Sequence, residues 1–560
     1  MKDKKMYILL VISILFAVIG VSLAFFSLNI IGNDTAKYNK ITTGDLELVF
    51  TDDNEVSLDG AFPGDSITKT ISVKNTGTKE VSYNIVWQEL ENKIIKNELV
   101  LEATCKRINN DGIVESTCNN IEETPIRVRT IEKNISIGPK VTHEYTIKIT
   151  FKDTASNQNY NKRKSFSGKI GIEEYFDNTI YCNTNVELTP GAEYINGQYT
   201  YRYKQEGYVH SQLNGSNVEI IYEWNDLNED GWGVILTDKE STEPINTPLC
   251  TYINDIPVVS TAYMFYYEKA TEIDLSSFNT TNITNMSHMF DASRATSLDL
   301  SRFDTSSVTN MSQMFLGSHA TTLDLSNFNT SNVKDMNGMF NMCQATTINV
   351  NNFDLSSIDS MEGMFTNAKA TNISLKNIDT SNITSMRATF FGTQNLESID
   401  LSYFDTSNVT DMYMMFQSTN LTTLDVSNFN TSNVTNMMRM FASTKLTSLD
   451  LSNFDTSNVT DMNAMFSGNS EITSLDISNF DTSNVTNMSG LFAWNTNLKT
   501  IYVSNKFNSD NVPQENSQNM FLNCNNLVGG KGTTFDSTKI DKTYAHIDGG
   551  EANPGYFTAK

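Results

Sequence analysis

Between about Val259 and Phe521 the apolar positions recur at fixed offsets. Phe265, Phe290, Phe315, Phe340, Phe365 and Phe390 follow one another every 25 residues, and Phe416, Phe441, Phe466, Phe492 and Phe521 continue the series with some longer steps. A fixed period of this length with leucines at set offsets predicts a leucine-rich-type solenoid. Residues 449–466, LDLSNFDTSNVTDMNAMF, show one unit. Leu449 and Leu451 flank Asp450, so a short strand sends both leucines to one face and the aspartate to the other. Asp455, Thr456, Ser457 and Asn458 are turn residues, whose side chains bond nearby backbone. Met462, Met465 and Phe466 fall at i, i+3, i+4, the spacing of one helical face. The predicted unit is therefore a short strand plus a short helical turn. A single unit lacks the apolar area to stand alone, and stacking the units makes one core built of columns.

The columns follow the period. Ile273, Leu298, Leu323 and their successors to Leu475 fill the first strand position, and Leu275 to Ile477 the second. An aromatic column runs from Phe278 to Phe480, with Ile378 its one aliphatic member. About ten turns spaced like paired strands predict a rod roughly 50 Å long. Methionines recur from Met286 to Met488; thioethers bind copper(I), but at one per turn inside a core they read as packing. Recurrent threonines (Thr280 to Thr482) and asparagines (Asn332 to Asn484) predict hydrogen-bond ladders along the stack.

The repeat, LDLSNFDTSNVTNM followed by x-x-Met-Phe, closely resembles the BspA-like leucine-rich repeat surface proteins of bacteria, over roughly residues 259–521. Two further stretches resemble parts of that family. NCNNLVGGKGT with TYAHIDGGEANPGYFTAK is similar to its end cap, here 522–560, and GWGVILTDKESTEPINTPLCTYINDIPV to what precedes its repeats. The resemblance implies a cell-surface protein associated with adhesion to matrix proteins or to other bacteria, although a fold shared with a family does not fix a function.

The rest of the chain divides by pattern. Lys2, Lys4 and Lys5 precede an apolar run from Met6 to about Ile31. Residues 1–33 thus read as a signal peptide or an uncleaved signal-anchor, with 34–560 outside the membrane. Short alternating runs at 45–50, 66–74, 81–89, 98–104, 126–130, 143–151 and 166–173 predict an immunoglobulin-like β-sandwich over 34–176. Its segment PGDSITKTISVKNTGTKEVSYNI resembles exported sandwich domains of the TasA/camelysin type. The expected role is a stalk that holds the repeats off the membrane; a strand-exchanging fibre subunit is the other reading. Residues 177–258 are expected to cap the solenoid, with strands near 201–203, 218–224, 232–236 and 251–253. The expected fold class is mainly β: sandwich, then a capped solenoid.

Charge and chemistry narrow the function. The 560 residues carry a formal net charge of −25, which argues against nucleic acid. Five scattered histidines and the lack of GxSxG, P-loop or HExxH patterns give catalysis no support. Of six cysteines, Cys105 and Cys118 lie close enough to bridge a hairpin, and Cys182 and Cys250 bracket one region. Cys343 and Cys524 are expected as buried thiols; pairing does not follow from sequence.

The strand position between the leucines is acidic: Asp274, Asp299, Asp324, Asp400, Asp425, Asp450 and Asp476, interrupted by Asn349 and Ser374. Like charges on neighbouring strands are unfavourable. They require adjacent hydroxyl and backbone donors, a basic partner, or bridging calcium. Asp226, Asn228 and Asp230 with Gly231 copy the opening of a calcium loop, but Thr237 stands where a bidentate Glu belongs, so a polar turn is the expected reading and calcium only a candidate ligand. Tyr413 and Trp494 are large residues at variable repeat positions, either binding anchors or half-buried packing.

The expectation is an exported, non-enzymatic surface protein that uses an extended repeat face to bind extracellular protein or glycan partners. The alternative is a structural surface or matrix component that associates with its own kind.

Overall fold

The computed structural model describes residues 37–560 apart from 44–45, 53–55, 59, 95–96, 127–128, 155–157, 159–160, 162–163, 176–177 and 215–216. The basic and apolar segment 1–33 lies outside the described residues, and no helix among those described is long and apolar enough to cross a membrane.

The first domain is a two-sheet sandwich. One sheet orders β1 (Lys37–Thr43), β2 (Leu46–Asp52), β4 (Ser66–Asn75), β10 (Thr142–Phe151), β6 (Leu99–Ile108) and β7 (Val114–Thr117), with β8 (Ile121–Pro125) also on β6. The other orders β3 (Val56–Leu58), β11 (Phe166–Glu174), β5 (Val81–Asn92) and β9 (Thr130–Ile137). Strand β10 shows the cause: His143, Tyr145, Ile147, Ile149 and Phe151 are buried while the residues between them face outward, the two-residue period of a half-buried strand. The strand expected over 126–130 begins only at Thr130, and Ile126 is a buried bend residue.

The cap follows. Its sheet orders β12 (Tyr181–Cys182), β18 (Tyr252–Ile253), β19 (Ile256–Ser260), β17 (Trp232–Leu236), β14 (Tyr199–Tyr203) and β13 (Glu193–Asn196). A long hairpin, β15 (Gln205–Asn214) and β16 (Asn217–Asp226), forms its own sheet. Cys182 and Cys250 are joined by a disulfide with Cα atoms 5.8 Å apart. One apolar cluster runs without a break from Tyr199 through the repeats to Phe557, so cap, repeats and chain end share a single core.

The repeats stack in parallel at the predicted period, but the expected leucine-rich solenoid of strand plus helical turn is not what forms. No α-helix occurs among the described residues; within the repeats and end cap the helical pieces described are two short 3-10 turns, Gln514–Ser517 and Lys542–Tyr544. The backbone gives the reason. Within each unit two residues adopt the left-handed region, for example His288 (φ 54°) with Ala292 (52°), and Ala464 (52°) with Gly468 (77°), and a right-handed helix cannot pass through such positions. Alternate amides then turn outward to the next coil: His288 N donates to Ser312 O at 3.0 Å and Phe290 N to Met314 O at 2.9 Å. The amides between them close tight turns, as Met289 N does on Met286 O at 3.2 Å. The i, i+3, i+4 spacing is satisfied by two consecutive turns as well as by a helix, and the methionine and phenylalanine columns are buried either way.

The predicted strand is also confined. It forms in β20 (Thr322–Asp324), β21 (Thr347–Asn349), β22 (Asn372–Ser374) and β23 (Ser474–Asp476), the last continued by β24 (Thr500–Val503) and β25 (Phe557–Ala559). Elsewhere coils are joined by single parallel bridges such as Asn436 to Asp461. The phenylalanines form a continuous stack, with Phe315 and Phe340 rings 5.7 Å apart and 1° from parallel. The anticipated ladders are present. Thr431 Oγ1 donates to Asp455 O at 2.8 Å, and Asn458 Nδ2 donates to Ser432 O at 2.7 Å.

Candidate binding face

The acidic column lies on the outside of the stack, one member per coil except where Asn349 and Ser374 interrupt it. Each member makes an Asx turn. Asp274, Asp400 and Asp425 accept from the amide of the serine two residues on at 2.9 Å, Asp450 at 3.0 Å, and Asp299, Asp324 and Asp476 at 3.1 Å. Local donors thus answer the like-charge problem, as the repeat pattern suggested. The Ser427 amide and hydroxyl hold the Asp425 carboxyl below the usual carboxylate range. Ser452 does the same for Asp450, although Asp476 and Asp425 push the other way.

The column is not uniform. Asn349 Nδ2 donates to Asp324 at 2.9 Å. Asp476 is half-buried, and its burial is outweighed by the Lys560 ammonium and by Ser478, which hold its carboxyl low. Asp274, Asp299, Asp324, Asp400, Asp425 and Asp450 are exposed. Between Asp324 and Asp400 the parallel pairing ends at Ser374, where the next unit is one residue longer. A recess of about 210 Å³ opens there between Asn372–Lys376 and Ser398–Asp400.

The two aromatic candidates differ. Tyr413 is half-buried beneath the Arg387 guanidinium, 4.5 Å from its ring centre. Arg387 in turn bridges Glu362 at 3.3 Å and Asp411 at 3.2 Å across three successive coils. Trp494 is 55 % exposed and occupies one of the left-handed positions (φ 64°), where a bulky side chain costs of order 1–3 kcal/mol.

The suggested calcium loop is a turn between β16 and β17. Tyr203 OH donates to Asp230 at 2.5 Å, the Lys204 ammonium lies 3.7 Å from the same oxygen, and Gln205 donates to Asp226 at 3.1 Å. With Asn228 in the same bend, two of the three oxygen donors are already engaged by protein groups. Among the described residues one grouping has metal-ligand proximity, Cys105, Cys118 and His143. Its two cysteines form a disulfide with Cα atoms 5.0 Å apart, which removes both thiolates. Burial pushes the neighbouring His143 down to about 4, with Arg107 adding to the effect. Cys343 and Cys524 are buried free thiols, and burial pushes the Cys343 thiol up to about 11.

The sandwich meets the stack along its flank, which sequence reasoning did not anticipate for a stalk. Lys133 Nζ pairs with Asp304 at 2.6 Å. Asn377 binds the end of β5 through Leu90 O and Asn92 N. Between them lies a cleft of about 230 Å³ whose walls include Lys93, Lys164, Asn377, Asp379 and Tyr403. Tyr403 OH reaches Glu91 at 3.4 Å, and burial followed by the Glu91 charge raises its phenol. A signal existed in the sequence. Tyr403 stands where Asn428, Asn453 and Asn479 occur, asparagines whose amides bond the preceding coil.

The family model described as "Mycoplasma protein of unknown function, DUF285" matches residues 259–378, 361–473 and 417–533. No curated protein matches the chain. The repeats and the first part of the end cap are thus what this chain has in common with that family.

Proposed function

We propose that this chain is a surface-displayed binding protein whose repeat stack presents an acidic edge to basic segments of extracellular proteins. The observation that carries the reading is the column Asp299, Asp400, Asp425 and Asp450, exposed and each fixed in an Asx turn on the stack of coils. Repeated carboxylates on a fixed spacing favour many weak contacts that add through effective concentration. Charge attraction speeds encounter and selects partners more than it sets affinity. Trp494, exposed on a strained backbone position, supplies an apolar anchor of the kind that dominates interface energetics. The Lys2–Ile31 pattern supports export.

The test is binding of residues 34–560 to a panel of extracellular matrix proteins, glycans and bacterial cells, beside the triple variant Asp400→Asn, Asp425→Asn, Asp450→Asn. Saturable binding to basic proteins that falls with salt and with the variant supports the reading. Binding indifferent to the column, or self-association alone, overturns it in favour of a structural matrix role.

A further inference from the structure

The cleft of about 230 Å³ between the sandwich and the stack has an apolar floor and a polar mouth. Ile94, Leu99 and Ile126 of the sandwich and Ile378 of the stack line it, and each is at most 4 % exposed. Nearer solvent stand Lys93, the exposed Ser402 and the half-buried Tyr403. Lys93 Nζ lies 6.0 Å from the centre of the Tyr403 ring. Lys164 and the buried Asp379 add an ammonium and a carboxylate to the walls. One side is fixed by Asn377, which accepts from Asn92 N at 2.6 Å and donates to Leu90 O at 2.9 Å.

Two departures from the repeat fall on this cleft. Ile378 is the one aliphatic member of the aromatic column from Phe278 to Phe480, and it is smaller than the phenylalanine of the other coils. Tyr403 stands where Asn428, Asn453 and Asn479 bond the preceding coil, and reaches Glu91 of the sandwich instead, at 3.4 Å. Docking alone is best served by a filled interface, since packed interiors leave few voids larger than a water molecule. An open space with an apolar floor and a few polar groups, placed between two domains, has the makeup of a small-ligand site.

The walls restrict the ligand. The cleft is smaller than the roughly 300–1,000 Å³ of pockets for drug-sized molecules, so it takes a single ring. Its charges balance: Lys93 pairs with Glu91 at 3.1 Å, and Lys164 and Asp379 oppose one another in sign. No surplus positive charge is left for a phosphate or carboxylate, and a cation meets two ammonium groups. A wholly apolar ligand leaves the amide of Asn377, the Ser402 hydroxyl and the Asp379 carboxylate without water or partner, which is costly. A ring with one apolar face and hydroxyls along its edge suits both floor and mouth, because a hydroxyl donates to carboxylates and accepts from ammonium and amide groups.

We propose that this cleft binds a neutral saccharide unit, such as the end residue of a glycan chain, between the sandwich and the repeat stack. The pyranose lays its C–H face on the floor and the Tyr403 ring and directs its hydroxyls to Lys93, Asp379 and Ser402. Because the ligand touches both walls, it also strengthens the docking of the two domains, and the docking strengthens its binding by the same factor. The site shares no residue with the exposed aspartate column, so it stands or falls separately from the acidic edge.

The test is calorimetric titration of the purified full chain with glucose, galactose, mannose, N-acetylglucosamine and N-acetylgalactosamine, with amide exchange mapped on the wild-type chain. At least one sugar is expected to bind saturably and to slow exchange at residues 92–94, 377–379 and 402–404. Tyr403→Asn, which restores the residue of the other coils, is expected to weaken that binding about tenfold. Tyr403→Phe keeps the ring and most of the binding, and Asp425→Asn leaves it unchanged. A panel in which no sugar binds overturns the proposal, as does protection confined to other coils or binding that Tyr403→Asn leaves intact. Inorganic phosphate protecting the same amides overturns the assigned ligand class. The wild-type exchange map decides the location even if Tyr403→Asn loosens the docking.

Discussion

Asn377 and Leu90 meet across 287 residues of chain: the Asn377 amide donates to the Leu90 carbonyl at 2.9 Å. The same asparagine accepts from Asn92 N at 2.6 Å and donates to Asn352 at 2.7 Å. It thus ties the sandwich to the repeat ladder. Its φ of 60° places the side chain on a left-handed turn that glycine also adopts. Asn377→Gly is therefore expected to keep the coil and lose the contact, weakening docking by about 1–3 kcal/mol. Small-angle scattering will show a more extended particle, and amide exchange at Asn92 will rise. An unchanged particle with unchanged exchange contradicts this role.

The second tie is sensitive to pH. Burial pushes the Asp304 carboxyl up, but Lys133 and the Ser306 hydroxyl and amide outweigh it and hold the group below its ordinary range. A depressed folded value means the contribution is complete above the ordinary aspartate value of about 3.9 and is lost as pH falls through the lower folded one. Scattering across that acid range is expected to show the sandwich separating. Lys133→Ala should show weaker docking already at neutral pH and a smaller acid response.

Coil geometry has a direct test at Ala464. A residue at φ 52° gains from losing its Cβ, so Ala464→Gly is expected to leave stability unchanged or raise it by up to about 1 kcal/mol. In a helix the same change loses about 1 kcal/mol. Denaturant midpoints of the two proteins separate these outcomes.

The threonine ladder is expected to be weakened even by a shape-conserving loss of its hydroxyl. Thr431 is buried, donates to Asp455 O at 2.8 Å and accepts from Asp455 N at 2.8 Å. Thr431→Val keeps the shape and strands both backbone groups, a cost of roughly 1–3 kcal/mol. Thr431→Ser keeps the hydroxyl and should cost less. Because coils stack as nearest neighbours, amide exchange is expected to rise in the coils around residues 431 and 455 before it rises elsewhere.

What the sequence determined by itself is whatever repeats. The 25-residue step, the buried Phe and Met columns, the Asx turns at Asp425 and Asp450 and the Thr431 and Asn458 ladders all follow from contacts made within one coil or with the matching part of the next. Such contacts are local to the repeat, so their chemistry is written at fixed offsets. The alternating strands of the sandwich were legible for the same reason: a two-residue period names its own buried face.

Tertiary structure decided the rest. Met462, Met465 and Phe466 fit a helix and a double turn equally well, and the left-handed backbone at Ala464 and Gly468, committed to bonding the next coil, chose the turns. Glycines at 317, 338, 363, 392 and 468 mark those positions in hindsight, but alanine, arginine and tryptophan share them, which hides the rule. The Cys182–Cys250 pairing and the docking of Asn92 on Asn377 join segments that share no period. Contacts of that kind depend on how whole domains pack, and no offset along the chain encodes them.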